Sequence, residues 1–166
     1  MFKEFLHNSL VKDLKVLKRL AGKIPLDQMS YRPKDNLRSI EELLQYLSFS
    51  ATAILQYWLE NPEGAEFRAF FTEVSAASKS IAPESYPEVF ENQVQLVNKL
   101  FEKITEEDLT QKEVKHPAGL TYKLGEGIIE TSIKWLSAYK MQLFLYIKMT
   151  TDQELTTPDL WRKYED

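Results

Sequence analysis

Apolar residues recur at three- and four-residue steps along most of this chain, and the pattern resolves into four long amphipathic segments. The segment from Gly125 to Met149 organises the others. It contains no proline, carries glycine only at its entry, and spaces Ile129, Ile133, Leu136, Leu143 and Ile147 as one buried helical face. Beside that face runs a second stripe, Trp135, Tyr139, Gln142 and Tyr146, whose large side chains combine an apolar body with a polar handle.

The remaining segments are read in chain order. Leu6, Leu10, Leu14 (or Val11) and Leu17, with lysines on the far side, predict a first helix over residues 2 to 22 that Gly22 and Pro25 end. Charges recur in it every three or four positions, so it does not read as a signal peptide. His7 lies near its apolar stripe and reads as a packing or surface residue. Residues 23–38 hold two prolines and read as an ordered crossing loop. Ser39-Ile-Glu-Glu42 has the form of a capping box that opens a second helix, with Leu43, Leu44, Leu47, Ala51, Ile54, Leu55 and Trp58 inward as far as Asn61-Pro62. Tyr46, Phe49, Ser50, Ala53 and Tyr57 form a neighbouring stripe, and two such stripes can enclose a cleft.

Phe67, Phe70, Phe71 and Val74 predict a short helix before the small polar run SAASKS. Pro83 and a second capping box, Ser85 to Glu88, are expected to start a third long helix carrying Phe90, Val94, Val97, Phe101 and Ile104 inward. Residues 105–127 read as a turn-rich loop, with His116 in solvent. The expectation is an all-α four-helix bundle over residues 1–150, with a long crossover containing a short helix between helices two and three. Residues 151–166, with their LWRKY cluster, form a tail docked on the bundle or an interface.

Composition narrows the function classes. At 166 residues the chain can bury about two-thirds of its unfolded surface as one domain. There is no cysteine, which excludes disulfides, thiolate metal sites and a cysteine nucleophile; a reducing cytoplasm is the expected compartment. A net charge of −4 and the absence of any Lys/Arg run argue against nucleic acid as a partner. No membrane partner is expected either.

The segment IPLDQMSYRPKDNLRSIEELLQYLSFSATAIL resembles the junction of helices one and two in the DinB-like/YfiT-like four-helix-bundle superfamily. The likeness lies in its Tyr-Arg-Pro element, its Arg-Ser-Ile-x-Glu-Leu-Leu helix start and its apolar second helix. WLSAYKMQLFLY is similar to the fourth-helix signature of that superfamily, and the order and spacing of the helices agree over nearly the whole chain. The resemblance implies a three-histidine divalent-metal site, one ligand on helix two and two on helix four at i, i+4. The matching positions here are Tyr46, Trp135 and Tyr139, with Lys140, Met141 and Gln142 where an Arg-Gly-Gln-like run follows. No metal ligand set and no cofactor are therefore expected, and the metal-dependent thiol-transfer chemistry that the resemblance implies does not carry over.

Two readings stay open for the altered cleft. Its aromatics simply pack, or Tyr46, Ser50, Trp135, Tyr139 and Gln142 line a pocket for a small apolar or aromatic ligand. At the level of function, the expectation is a small-ligand-binding or interaction module, homodimeric through long helix faces. The alternative is a metal-free transferase- or isomerase-like enzyme in the same cleft. Glu42 and Glu130 would be its candidate carboxylates, with Tyr46 and Tyr139 as proton donors.

Overall fold

The computed structural model describes residues 1–60 and 66–162. The expected helix stop at Asn61-Pro62, and Lys163 and Tyr164 of the LWRKY cluster, lie outside them. The described chain is mostly helical. It comprises α1 (Phe2–Ala21), a 3₁₀ turn (Leu26–Gln28), α2 (Ile40–Glu60), α3 (Phe67–Ser78), a second 3₁₀ turn (Pro83–Ser85) and α4 (Tyr86–Glu102). These are followed by α5 (Glu106–Gln111), a two-stranded antiparallel hairpin of β1 (Glu113–Lys115) and β2 (Thr121–Lys123), and α6 (Leu124–Ile128). A π turn (Ile129–Ile133) then leads into α7 (Lys134–Thr150), and α8 (Thr157–Trp161) closes the order. No helix among the described residues is long and apolar enough to cross a membrane.

α1, α2, α4 and α7 enclose one core. α1 packs along α4, α2 against both α4 and α7, and α7 returns to α1. The predicted stripes of α1 and α4 are buried: Leu6, Leu10, Leu14 and Leu17 on the first, Phe90, Val94, Val97 and Phe101 on the second, with Ile104 just past its end. α2 starts as its capping box requires. The Ser39 hydroxyl accepts from the Glu42 amide at 3.1 Å, and the Glu42 carboxylate accepts from the Ser39 amide at 2.7 Å.

The second expected capping box does not form. Ser85 sits at φ −86°, ψ −8°, already helical because it ends the 3₁₀ turn that Pro83 initiates, and its side chain makes no cap bond. The working box lies further on, where Thr105 and Asp108 exchange side-chain and backbone bonds to start α5. Residues 105–127 are thus not a loop but a helix and a hairpin. The hairpin is fastened to α2 by the Trp58 indole, which donates to the Lys115 carbonyl at 2.9 Å.

The organising segment is helical throughout, but not as one regular α-helix. In the π turn the Thr131 hydroxyl bonds back to the Gly127 carbonyl at 2.6 Å, and the wider turn shifts the register of everything before it. Ile128 is therefore fully buried, while Ile129 and Ile133, expected in the core, are only half-buried. Gly127 lies where Trp58 and Val114 press in; an added Cβ would stand 2.9 Å from the Trp58 ring and 3.0 Å from Val114.

After the π turn the buried face runs Leu136, Lys140, Leu143 and Ile147. Lys140 is wholly buried. Its ammonium lies 2.5 Å from Asp13 of α1 and 4.3 Å from the centre of the Trp161 ring of α8, and Ser137 donates to the other Asp13 oxygen at 2.7 Å. Burial pulls this ammonium below its ordinary range, and Asp13 opposes the shift. α8 is held on the same side by Arg19 on the buried Asp159, at 2.8 Å, and by buried Leu155 and Leu160. Asp13→Asn leaves the ammonium uncompensated and is expected to cost about 3–5 kcal/mol in urea unfolding, whereas Asp13→Asn with Lys140→Met restores most of it. A loss below about 1 kcal/mol in the single variant would show that the pair carries little.

Candidate functional site

The two stripes singled out in the sequence face different neighbours. Tyr46 of α2 and Tyr139 of α7 meet edge-on with ring centroids 4.8 Å apart. The Arg38 guanidinium lies over both, 4.4 Å from the Tyr46 centroid and 5.2 Å from that of Tyr139. Trp135 is not part of this group. It packs instead on His116 of the hairpin at 5.9 Å, and His116 also meets Tyr122 at 6.0 Å. His116 is thus half-buried rather than free in solvent, and its Nδ1 accepts from the Ala118 amide at 3.0 Å. Gln142 donates to the Tyr146 hydroxyl at 2.6 Å, and Tyr146 packs on Tyr31 at 6.2 Å. Ser50 is fully buried, with its hydroxyl unpaired among the described residues.

This arrangement does not suit the three-ligand metal site that the family resemblance implies. Burial and the neighbouring Tyr139 push the Tyr46 phenol up to about 12, against a smaller opposing effect of Arg38, so it stays a neutral phenol at physiological pH. Trp135 offers only an indole N–H and turns to a different partner. Among the described residues no group of three or more His, Asp or Glu side chains is placed to hold a metal ion.

The candidate carboxylates are engaged elsewhere. Glu42 caps α2 and pairs with Arg32 at 3.1 Å; the Ser39 amide, then Arg32, hold its carboxyl below the usual range. Glu130 pairs with Lys134 one turn on, at 2.5 Å. The Glu42 shift runs opposite to the raised pKa that suits a general acid. His7 bonds the Asn98 side chain at 2.8 Å and stacks edge-on against Phe101. It lines an open cavity of 490 Å³ between α1 and α4, remote from the tyrosine pair and rimmed by Glu4, Glu102 and Glu106.

The sequence predicts over residues 67–74 a short helix that packs an aromatic edge, but not the partners that α3 finds. Its rings extend the tyrosine pair into a chain of contacts: Tyr46 to Phe49 (5.7 Å), Phe49 to Phe71 (5.1 Å), Phe71 to Phe67 (5.4 Å) and Phe67 to Tyr57 (5.3 Å). Two cavities open along α3. One, of 480 Å³, is lined by Glu66, Phe67, Arg68, Phe71, Thr72 and Pro117. The other, of 130 Å³, is lined by Arg38, Gln45, Tyr46, Phe49, Ser75 and Lys79 among others. The signal was present in FRAFFTEV, whose three phenylalanines exceed what a connector needs, but only the tertiary contacts show which side they face. No protein-family model matches the chain, and no curated protein matches it.

Proposed function

We propose that this chain is a divergent, metal-free member of the DinB-like four-helix bundles that binds a small planar or apolar ligand along α3. The bundle reading is supported by four long helices in the expected order, with one short helix between the second and third. The binding reading rests on one observation, the 480 Å³ cavity walled by Phe67, Phe71 and Pro117. Its volume falls within the roughly 300–1,000 Å³ of small-molecule sites, and its walls continue into the aromatic contacts that reach Tyr46 and Tyr139. The original cleft between α2 and α7 is closed by that tyrosine pair, so a ligand of this size enters beside it rather than between the two phenols. A metal-free enzyme has less support, because Glu42 and Glu130 are both held in ion pairs.

The proposed homodimer has a surface to use. Ala138, Met141, Leu145 and Met149 form an exposed stripe on α7, spaced to pack on a second copy of the same helix. Sedimentation equilibrium is expected to give a dimer that Leu145→Glu converts to monomer; a monomeric parent protein would exclude this interface.

Binding is tested with N-phenyl-1-naphthylamine, a neutral dye whose emission brightens in apolar sites. The parent protein is expected to bind it saturably. Thr72→Trp, which places an indole in the cavity from an exposed position, is expected to weaken binding about tenfold with unchanged helix content. Absence of binding, or binding indifferent to Thr72→Trp, would contradict the assignment.

A further inference from the structure

The two cavities along α3 are successive parts of one face. Phe67, Arg68, Phe71 and Thr72 line the larger, and Ser75, Ser78 and Lys79 line the smaller. These positions recur at three- and four-residue steps, the spacing of one helical side. Phe71 marks the boundary, since it walls the larger cavity and packs at 5.1 Å on Phe49 and 6.5 Å on Tyr46, which wall the smaller. The groove is therefore apolar at one end and narrow at the other.

The narrow end is cationic. Arg38 and Lys79 line it, and among the described residues neither makes an ion pair within 4 Å. The carboxylate among the lining residues, Glu42, is met by Arg32 at 3.1 Å and by the Ser39 amide at 2.7 Å, and it also feels the Arg38 charge, more weakly than that of Arg32. The exposed Arg38 side chain carries its guanidinium carbon 4.4 Å from the Tyr46 centroid and 5.2 Å from that of Tyr139, at the mouth of this cavity, and a guanidinium fork suits a planar or tetrahedral oxyanion. Gln45 and Ser75 add polar side chains to the same wall. A cavity of 130 Å³ has room for an acid group with a few waters.

We infer that the ligand of this groove is an amphipathic acid: its flat or apolar body lies on Phe67, Phe71 and Pro117, and its carboxylate or phosphate group is held by Arg38 and Lys79. The inference rests on the binding function proposed above and specifies the ligand's charge. Arg38 offers the acid a planar fork of N–H donors; Lys79 contributes a second, point-like charge.

Three probes of one shape test it: 2-naphthoate, 2-naphthyl phosphate and the neutral 2-naphthamide, titrated by calorimetry into the full chain. At low salt at least one acid is expected to bind about tenfold tighter than the amide, the factor given by about 1.4 kcal/mol. The preference is expected to shrink as ionic strength rises. Whichever acid leads identifies the oxyanion. In Arg38→Gln with Lys79→Gln the acids are expected to fall to the affinity of the amide; Arg38→Lys, which keeps the charge but loses the planar fork, is expected to recover only part of the preference.

Equal binding of acids and amide by the parent protein would overturn the inference while leaving the apolar groove intact. So would an acid preference that survives the double substitution, which would move the charge contact to Arg68 at the opposite end. Failure of all three probes, with N-phenyl-1-naphthylamine also unbound, would overturn the groove itself together with the inference.

Discussion

A buried ammonium paired with a carboxylate where α1, α7 and α8 meet constrains how this chain folds. Lys140 is wholly buried on the inward face of α7, and its ammonium is satisfied only where Asp13 of α1 and the ring of Trp161 in α8 converge. A buried charge without its partner costs several kcal/mol, so any rotation of α7 that separates the two is strongly penalised. Successive helical residues point about 100° apart. With Lys140 turned to α1, Tyr139 is directed towards α2, where it meets Tyr46 and Arg38. The aromatic site thus inherits its geometry from an ion pair on another side of the same helix. The pair also ties α8 down, since Trp161 covers the ammonium while Arg19 holds Asp159.

The aromatic contacts have an effect of their own. Tyr46 and Tyr139 close the space between α2 and α7, and the rings of Phe49, Phe71, Phe67 and Tyr57 carry the packing outwards onto α3. α3 is thereby held against α2 largely through aromatic edges and faces, and open volume remains along it rather than inside the core.

Much of the fold was legible in residues alone. Leu6, Leu10, Leu14 and Leu17, and likewise Phe90, Val94 and Val97, bury as their spacing requires, because regular periodicity survives tertiary packing. The errors have local causes. Ile129 and Ile133 were misplaced because a π turn inserts a residue's worth of rotation that a 3.6-residue period cannot express. The stripe from Leu136 to Leu143 skipped a turn, and the lysine in the gap was the sign of a buried ion pair that no window on α7 could find, since its partner lies 127 residues away. Ser85 matches the capping pattern of Ser39, yet Pro83 draws it into a turn first. The hairpin strands alternate out, in, out over only three residues each, too short a run to stand out in the sequence, and the Trp58 indole fastens them to α2. At the candidate site, the contact of Tyr46 with Tyr139 is the part that paired stripes foretold. The separation of Trp135 onto His116, and the groove along α3, follow from tertiary placement alone.

The central claim is that ligand chemistry resides along α3 and Arg38. Amide chemical-shift mapping of the isotope-labelled full chain with 2-naphthoate tests this most directly. The account predicts shifts concentrated at Phe71, Ser75, Lys79 and Arg38, with little change near His7 and Asn98. Shifts confined to the cavity between α1 and α4, where His7, Asn98 and Phe101 lie, would contradict it.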